Sequence, residues 1–128
     1  MALERKEYVI APTGPNYSRA VKAGNTLYIS GCTARGTDIQ GKSMMEQLEV
    51  TWKRLVSIAA EEGVGPGNFA KLTCFVTSMA DYKADPQQME ALFAKYFEGQ
   101  YPANSLVEIT ALAEPGLDVE IEAVVILE

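Results

Sequence analysis

The chain has 128 residues, of which 48% are hydrophobic and 22% are charged, and its formal net charge at pH 7 is -6. This length and composition fit one folded domain, and the negative charge disfavours nucleic acid and anionic membrane surfaces as partners. The sequence contains no histidine, which excludes Ser-His-Asp and Cys-His nucleophile systems and HExxH zinc sites.

The N-terminal sequence predicts a cytoplasmic protein. The stretch MALERKEYVIAP is charged within its first residues and lacks the apolar core of a signal peptide, and no segment has the length of a membrane span. Cys32 and Cys74 form neither a CxxC motif nor a zinc-ligand spacing, so free buried thiols are favoured over a disulfide. We expect a single domain over residues 1–128.

An antiparallel hairpin is predicted in the first third of the chain. Two extended runs, Ser18 to Ala23 and Thr26 to Ser30, are separated by Gly24 and Asn25. Both of these residues tolerate the positive φ of a tight two-residue turn. The loop that follows, GCTARGTDIQGK, has no periodic apolar pattern.

Two helices are predicted from apolar residues that recur every three or four positions. The first begins with a capping box of Ser43 and Glu46 and stops at Gly63. Its apolar face contains Met45, Leu48, Trp52, Leu55, Val56 and Ala59. The second is capped by Asp85 and ends at Gly99. Its buried stripe contains Met89, Leu92, Phe93, Tyr96 and Phe97.

Three further strands complete the predicted fold. The segment KLTCFVTS alternates apolar and polar residues with the period of two that a strand requires. The chain closes with strands over Ser105 to Leu112 and Asp118 to Leu127. The order β-β-α-β-α-β-β predicts an α+β fold, a two-layer sandwich of one mixed sheet with two helices on one face.

The last strand is apolar on both faces. One face carries Val119, Ile121, Ala123 and Val125, and the other carries Glu120, Glu122, Val124 and Ile126. Because two helices cover only one face of a sheet, the second face is expected to pack against another copy of the chain.

Three motifs resemble the Rid/YjgF family of reactive-intermediate deaminases. They are GPNYSRAVKAGNTLYISG at 14–31, YPANSLVEI at 101–109 and VEIEAVV at 119–125. The resemblance extends over nearly the whole chain. It implies a chorismate-mutase-like fold, a homotrimer with a ligand cleft at each subunit interface, and hydrolysis of short imines or enamines to 2-keto acids and ammonia with no cofactor.

The resemblance also implies site residues. It gives catalytic roles to Tyr17, which would hold the ligand or its water, and to Glu120, which would orient the attacking water. The candidate substrate-binding residues are Ser30, Gly31, Asn104, Leu106 and Gln87.

The chain departs from the deaminase pattern at Asn104. Deaminase relatives read P-A-R here, and the arginine grips the substrate carboxylate through two parallel hydrogen bonds that a neutral amide does not reproduce. Arg19, on the first hairpin strand, and Arg35, in the loop after Gly31, are the two candidates for a replacement cation. We therefore expect an altered substrate range.

Three functional hypotheses follow. The first is a trimeric hydrolase that acts on a C=N or enamine metabolite. The second is a non-catalytic sensor or binding protein that has kept the cleft and lost the clamp. The third, RNA cleavage, which family naming sometimes suggests, is disfavoured by the acidic charge and the missing histidine.

Overall fold

A computed structural model of the chain, which describes residues 2–128, has one mixed six-stranded sheet with helices packed on one face. The strands are β1 (Leu3–Lys6), β2 (Ala20–Ala23), β3 (Thr26–Cys32), β4 (Phe69–Val76), β5 (Ala103–Glu108) and β6 (Val119–Ile126). The helices are α1 (Met44–Glu61), α2 (Met79–Tyr82) and α3 (Pro86–Phe97), and a 3-10 turn at Pro66–Asn68 precedes β4. The predicted α+β class is confirmed.

The strand order across the sheet is β1-β2-β3-β6-β4-β5. Strands β4 and β5 pair in parallel, and the other neighbouring strands pair antiparallel. The predicted hairpin is present: Ala23 pairs with Thr26 across the turn, and Gly24 has φ +61°.

Two elements were absent from the sequence prediction, and a third, β5, ends at Glu108 rather than at the predicted Leu112. β1 pairs with β2 at the edge of the sheet, and its sequence, LERK, carries no apolar alternation that would reveal a strand. The single turn α2 is capped by Ser78, which accepts a hydrogen bond from the backbone N–H of Asp81. A helix of one turn is too short to show a helical period in the sequence. With β1 and α2, the sheet has six strands rather than the predicted five, and the chain has a third helix.

The two long helices begin where the sequence predicted. The Ser43 hydroxyl accepts from the Glu46 backbone and the Glu46 side chain accepts in return, which forms the capping box. Asp85 accepts from the Gln88 backbone at the start of α3. Trp52 of α1 packs edge-on against Phe97 of α3, with ring centroids 4.8 Å apart, and this contact joins the two helices in the core.

The two faces of β6 separate as predicted. Val119, Ile121, Ala123 and Val125 are buried in the core, and Glu120 and Glu122 point to the opposite, open face. Tyr28 pairs with Val124, and Val107 lies beside Phe75, the partner of Glu120, so both belong to this open face. Tyr28 is 52% exposed and Val107 is 41% exposed. Among the described helices, none is long and apolar enough to cross a membrane.

Candidate functional site

The candidate site begins at an irregularity in β3. Ile29 pairs with Ala123 and Cys32 pairs with Ile121, so β3 contains one more residue than β6 over this interval. A β-bulge of this kind leaves part of the ladder unpaired and redirects the strand. The bulge forms one wall of a cleft of about 360 Å³. The polar side chains of its lining include those of Tyr17, Arg19, Ser30, Arg35, Arg54 and Glu120.

Arg19 ties the bulge to the N-terminal segment. It is only 3% exposed. Its Nη1 donates to the carbonyls of Ser30 and Gly31, at 3.2 and 2.8 Å. Its Nε and Nη2 donate to the carbonyls of Ala11 and Pro12, at 3.0 and 3.1 Å. Every nitrogen of this guanidinium is therefore engaged within the chain, and Arg19 acts as a brace for the cleft wall.

Two guanidinium groups hold Tyr17 at the mouth of the cleft. The Tyr17 hydroxyl oxygen accepts from Nη2 of Arg19 and from Nη2 of Arg35, each at 3.3 Å. Arg35 also donates to the Pro12 carbonyl at 3.0 Å, and its Nε lies 3.7 Å from the Glu114 carboxylate. Because the Tyr17 oxygen accepts both bonds, its own O–H remains available as a donor toward the cleft.

Glu120 lies against the bulge from β6. A Cβ atom added to Gly31 would stand 2.5 Å from the Glu120 carboxyl carbon, so only glycine leaves room for this carboxylate. Burial is the largest cause that raises the pKa of Glu120; the neighbouring Glu122 raises it further, and Arg19 lowers it in part. The ionised carboxylate is therefore a stronger base than an exposed glutamate.

Ser30 has a structural hydrogen bond of its own. Its hydroxyl donates to the Ser18 carbonyl at 2.7 Å, which joins the strand to the segment before β2. The hydroxyl oxygen remains an acceptor on the cleft wall. Ser30, Gly31, Tyr17 and Glu120, which the sequence predicted, thus meet in one cleft.

Three predicted site residues lie outside this cleft in the single chain. Asn104 is aligned on β5 with the buried Leu72 and lines a separate depression beside Phe93 and Tyr101. Leu106 is aligned with the buried Cys74 and packs against the core. Gln87 is exposed in the first turn of α3.

Sequence reasoning missed Arg54, which lines the cleft from α1. It is 9% exposed, and its Nη1 donates to the Thr33 carbonyl at 2.7 Å. The helix pattern carried a signal, because Arg54 follows Thr51 by three positions and precedes Ile58 by four. Such spacing places a charged residue on the buried face of the helix.

The cysteines are free and buried, as predicted. Cys32 lines the cleft, while Cys74 does not. Burial raises the pKa of the Cys32 thiol, although the neighbouring guanidinium groups of Arg19 and Arg54 oppose that increase. A buried thiol whose pKa is raised is a poor nucleophile at neutral pH.

The fold and the cleft together place this chain among small two-layer α+β proteins. Its polar cavity contains a glutamate, a tyrosine and several arginines. The sequence profile of the family described as Endoribonuclease L-PSP matches residues 9–127. The chain belongs to this family, the Rid/YjgF family, as the three motifs predicted.

Several named proteins are similar to this chain. The RutC family protein y4sK of Sinorhizobium fredii is 35% identical over 118 residues, which cover 89% of this chain and 88% of that protein. A 2-iminobutanoate/2-iminopropanoate deaminase of Mus musculus is 31% identical over 120 residues, which cover 91% and 84%. The crystal structure of the Rid protein YyfA from Yersinia pestis has a TM-score of 0.83 at 28% identity and covers 98% of this chain and 99% of that one.

Proposed function

We propose that this protein hydrolyses a small imine or enamine metabolite in the cleft between the β3 bulge and β6. The observation that carries the proposal is the placement of Glu120, a half-buried carboxylate with a raised pKa, in the same cavity as Tyr17. The similarity to named 2-iminobutanoate/2-iminopropanoate deaminases supports the same reaction class.

The proposed step is addition of water to a C=N carbon. An ionised Glu120 accepts a hydrogen bond from the water and takes its proton as the oxygen attacks the imine carbon. Tyr17 donates a hydrogen bond to the substrate or to the water. Glu120 then returns its proton to the nitrogen, and the hydroxyl proton of the tetrahedral adduct also passes to the nitrogen as the C–N bond breaks. The nitrogen leaves as ammonia and the carbon is left as a carbonyl. An enamine enters this sequence after it tautomerises to the imine.

We propose that the working form is a homotrimer, as the family resemblance implies. The open face of the sheet, with the exposed Tyr28 and Val107, supports association with further copies of the chain. Asn104 lies on the edge strand β5 and outside the cleft of its own chain, so it enters the site only from a neighbouring subunit. There, in place of a family arginine, its neutral amide alters the substrate range.

A non-catalytic sensor role is the competing outcome. It is the less favoured reading, because the relatives with assigned activities are named as deaminases. RNA cleavage, the activity in the name of the family profile, has little support, because the chain carries a net charge of -6 and no histidine.

The test is a deamination assay on 2-iminopropanoate that an amino-acid oxidase generates in situ from alanine. Release of pyruvate is followed with lactate dehydrogenase and compared with the spontaneous rate. We expect the natural protein to accelerate release and Glu120→Gln, which keeps the shape and removes the base, to lose about 100-fold or more of that activity.

Asn104→Arg is the companion variant. An increase with this variant over the natural protein would support an altered substrate range. If neither protein accelerates release from any imine tested, while ligands still bind, the proposal of catalysis is refuted and the binding role stands.

A further inference from the structure

Arg54 is a buried cation without a counter-charge. Its one side-chain hydrogen bond within residues 2–128 is the bond from Nη1 to the Thr33 carbonyl, and no carboxylate of those residues lies within 4.0 Å of its guanidinium. The Nε and Nη2 donors have no partner. These two nitrogens form one edge of the guanidinium, the edge that binds a carboxylate through two parallel bonds.

The free donors of Arg54 face the cleft rather than a sealed interior. In the described part of the chain, the indole nitrogen of Trp52 is the one fully buried side-chain polar atom that lacks a hydrogen-bond partner. The unpaired nitrogens of Arg54 therefore keep contact with solvent, and the cleft that Arg54 lines is where that contact is made.

The other two arginines of the cleft are already committed. Arg19 uses all three of its nitrogens on the bulge, the N-terminal segment and Tyr17. Arg35 donates to Pro12 and Tyr17 and lies beside the Glu114 carboxylate. An incoming anion would have to displace existing bonds at Arg19, and at Arg35 it would compete with the Glu114 carboxylate, whereas the Nε–Nη2 edge of Arg54 is unused and has no carboxylate beside it.

We propose that Arg54 is the carboxylate-binding residue of this cleft, and that the ligand is a short 2-oxo or 2-imino acid whose carboxylate meets the Nε–Nη2 edge of Arg54. The assignment of the ligand class rests on the proposed deaminase function, while the anion site itself rests on the geometry of Arg54. In this arrangement the carboxylate is held from α1, and the reacting carbon lies toward Glu120, which lines the same cleft from β6. A chain with Asn104 then needs no arginine on β5 to bind an acid.

The burial of Arg54 gives the ligand a second role. A guanidinium that is largely removed from water and lacks a counter-charge is unfavourable, and a bound carboxylate supplies the opposite charge and acceptors for the free nitrogens. Ligand binding should therefore raise the melting temperature of the natural protein, and this increase should depend on Arg54.

The test is calorimetric titration with pyruvate and with its neutral amide, pyruvamide. The proteins compared are the natural protein, Arg54→Gln, Arg54→Lys and Lys53→Gln. Lys53 is the adjacent exposed cation on the same helix, so Lys53→Gln makes the same change in net charge outside the cleft. Circular dichroism and light scattering establish that each variant is folded and assembled like the natural protein.

We expect Arg54→Gln to weaken pyruvate binding by about 10- to 100-fold, because a charge-assisted pair of hydrogen bonds is lost. Arg54→Lys should fall between that variant and the natural protein, and Lys53→Gln should bind like the natural protein. Pyruvamide binding should change little in any variant. Equal pyruvate affinity in the natural protein and Arg54→Gln, or no pyruvate binding by the natural protein, overturns the inference.

A second measurement covers the case in which Arg54→Gln does not fold. Arginine side-chain NMR of the natural protein, with the Arg54 signal assigned through Arg54→Lys, should show that signal shifting with pyruvate and staying still with pyruvamide. The two proposals fail separately. Pyruvate binding that depends on Arg54 without imine turnover refutes catalysis alone, whereas turnover and pyruvate binding that do not depend on Arg54 refute the carboxylate site alone.

Discussion

Gly31→Ala should disable the cleft while the fold survives. The added Cβ would lie 2.5 Å from Cδ, 2.7 Å from Cγ and 2.8 Å from Oε2 of Glu120. To restore an ordinary contact of 3.4 Å from that 2.5 Å, the carboxyl carbon must move by about 0.9 Å. A displacement of about 1 Å in a catalytic group costs about 100-fold in rate. The cost in stability is about 1 kcal/mol, because Glu120 is half-buried and its side chain can rotate toward the cleft.

The assay is the pyruvate-release measurement, paired with thermal unfolding of the same samples. Gly65→Ala is the matched control, because Gly65 has φ -105° and no atom within 4 Å of the added Cβ. That variant should keep its rate and melt at the same or a slightly higher temperature. A natural rate in Gly31→Ala would refute the claim that the glycine exists to seat Glu120, and a large loss of stability would show that the backbone, rather than the carboxylate, had moved.

Two further predictions concern charge and assembly. The pKa of Glu120 is raised in the folded chain, chiefly by burial, so the folded state holds this proton more tightly than the unfolded state and stability falls as pH rises through the raised pKa. Glu120→Gln should therefore be more stable than the natural protein at pH 7, and the difference in melting temperature should shrink toward pH 4; a difference that grows on acidification would contradict this sign. Light scattering should give the mass of three chains, and a stable monomer would remove the support for a site shared between subunits.

The elements that could be predicted from the sequence are those with a strong local signal. The start of α1 was predictable because Ser43 and Glu46 satisfy each other and the helix end at once. β1 was not, because the four residues Leu3–Lys6 form a strand only by pairing with β2 at the sheet edge. A short edge strand of this kind is specified by its tertiary partner rather than by its own composition.

The candidate site divides in the same way. Tyr17 and Glu120 lie in motifs, so the resemblance placed them without the fold. The environment of Arg19 depends on the bulge in β3, whose freed carbonyls it binds, and no spacing in the sequence states which strand will carry an extra residue. The interpretation of Arg19 as a replacement substrate-binding cation gives way to that of a structural brace, because its donors are already used.

The position of Arg54, the arginine with unused donors, is the part of the site that comparison of motifs could not predict. A motif compares one position at a time, so the exchange of arginine for Asn104 presents itself as the loss of a charge. A cleft, however, is lined by side chains from several helices and strands, and an arginine on any of these elements can place its guanidinium in the same cavity. Arg54 reaches the cleft from α1, where the pattern predicts core packing, and only its burial and its unused donors distinguish it from an ordinary helix residue. The electrostatic character of this cleft therefore belongs to the assembled fold, and a change at one motif position does not by itself decide which ligands the cleft accepts.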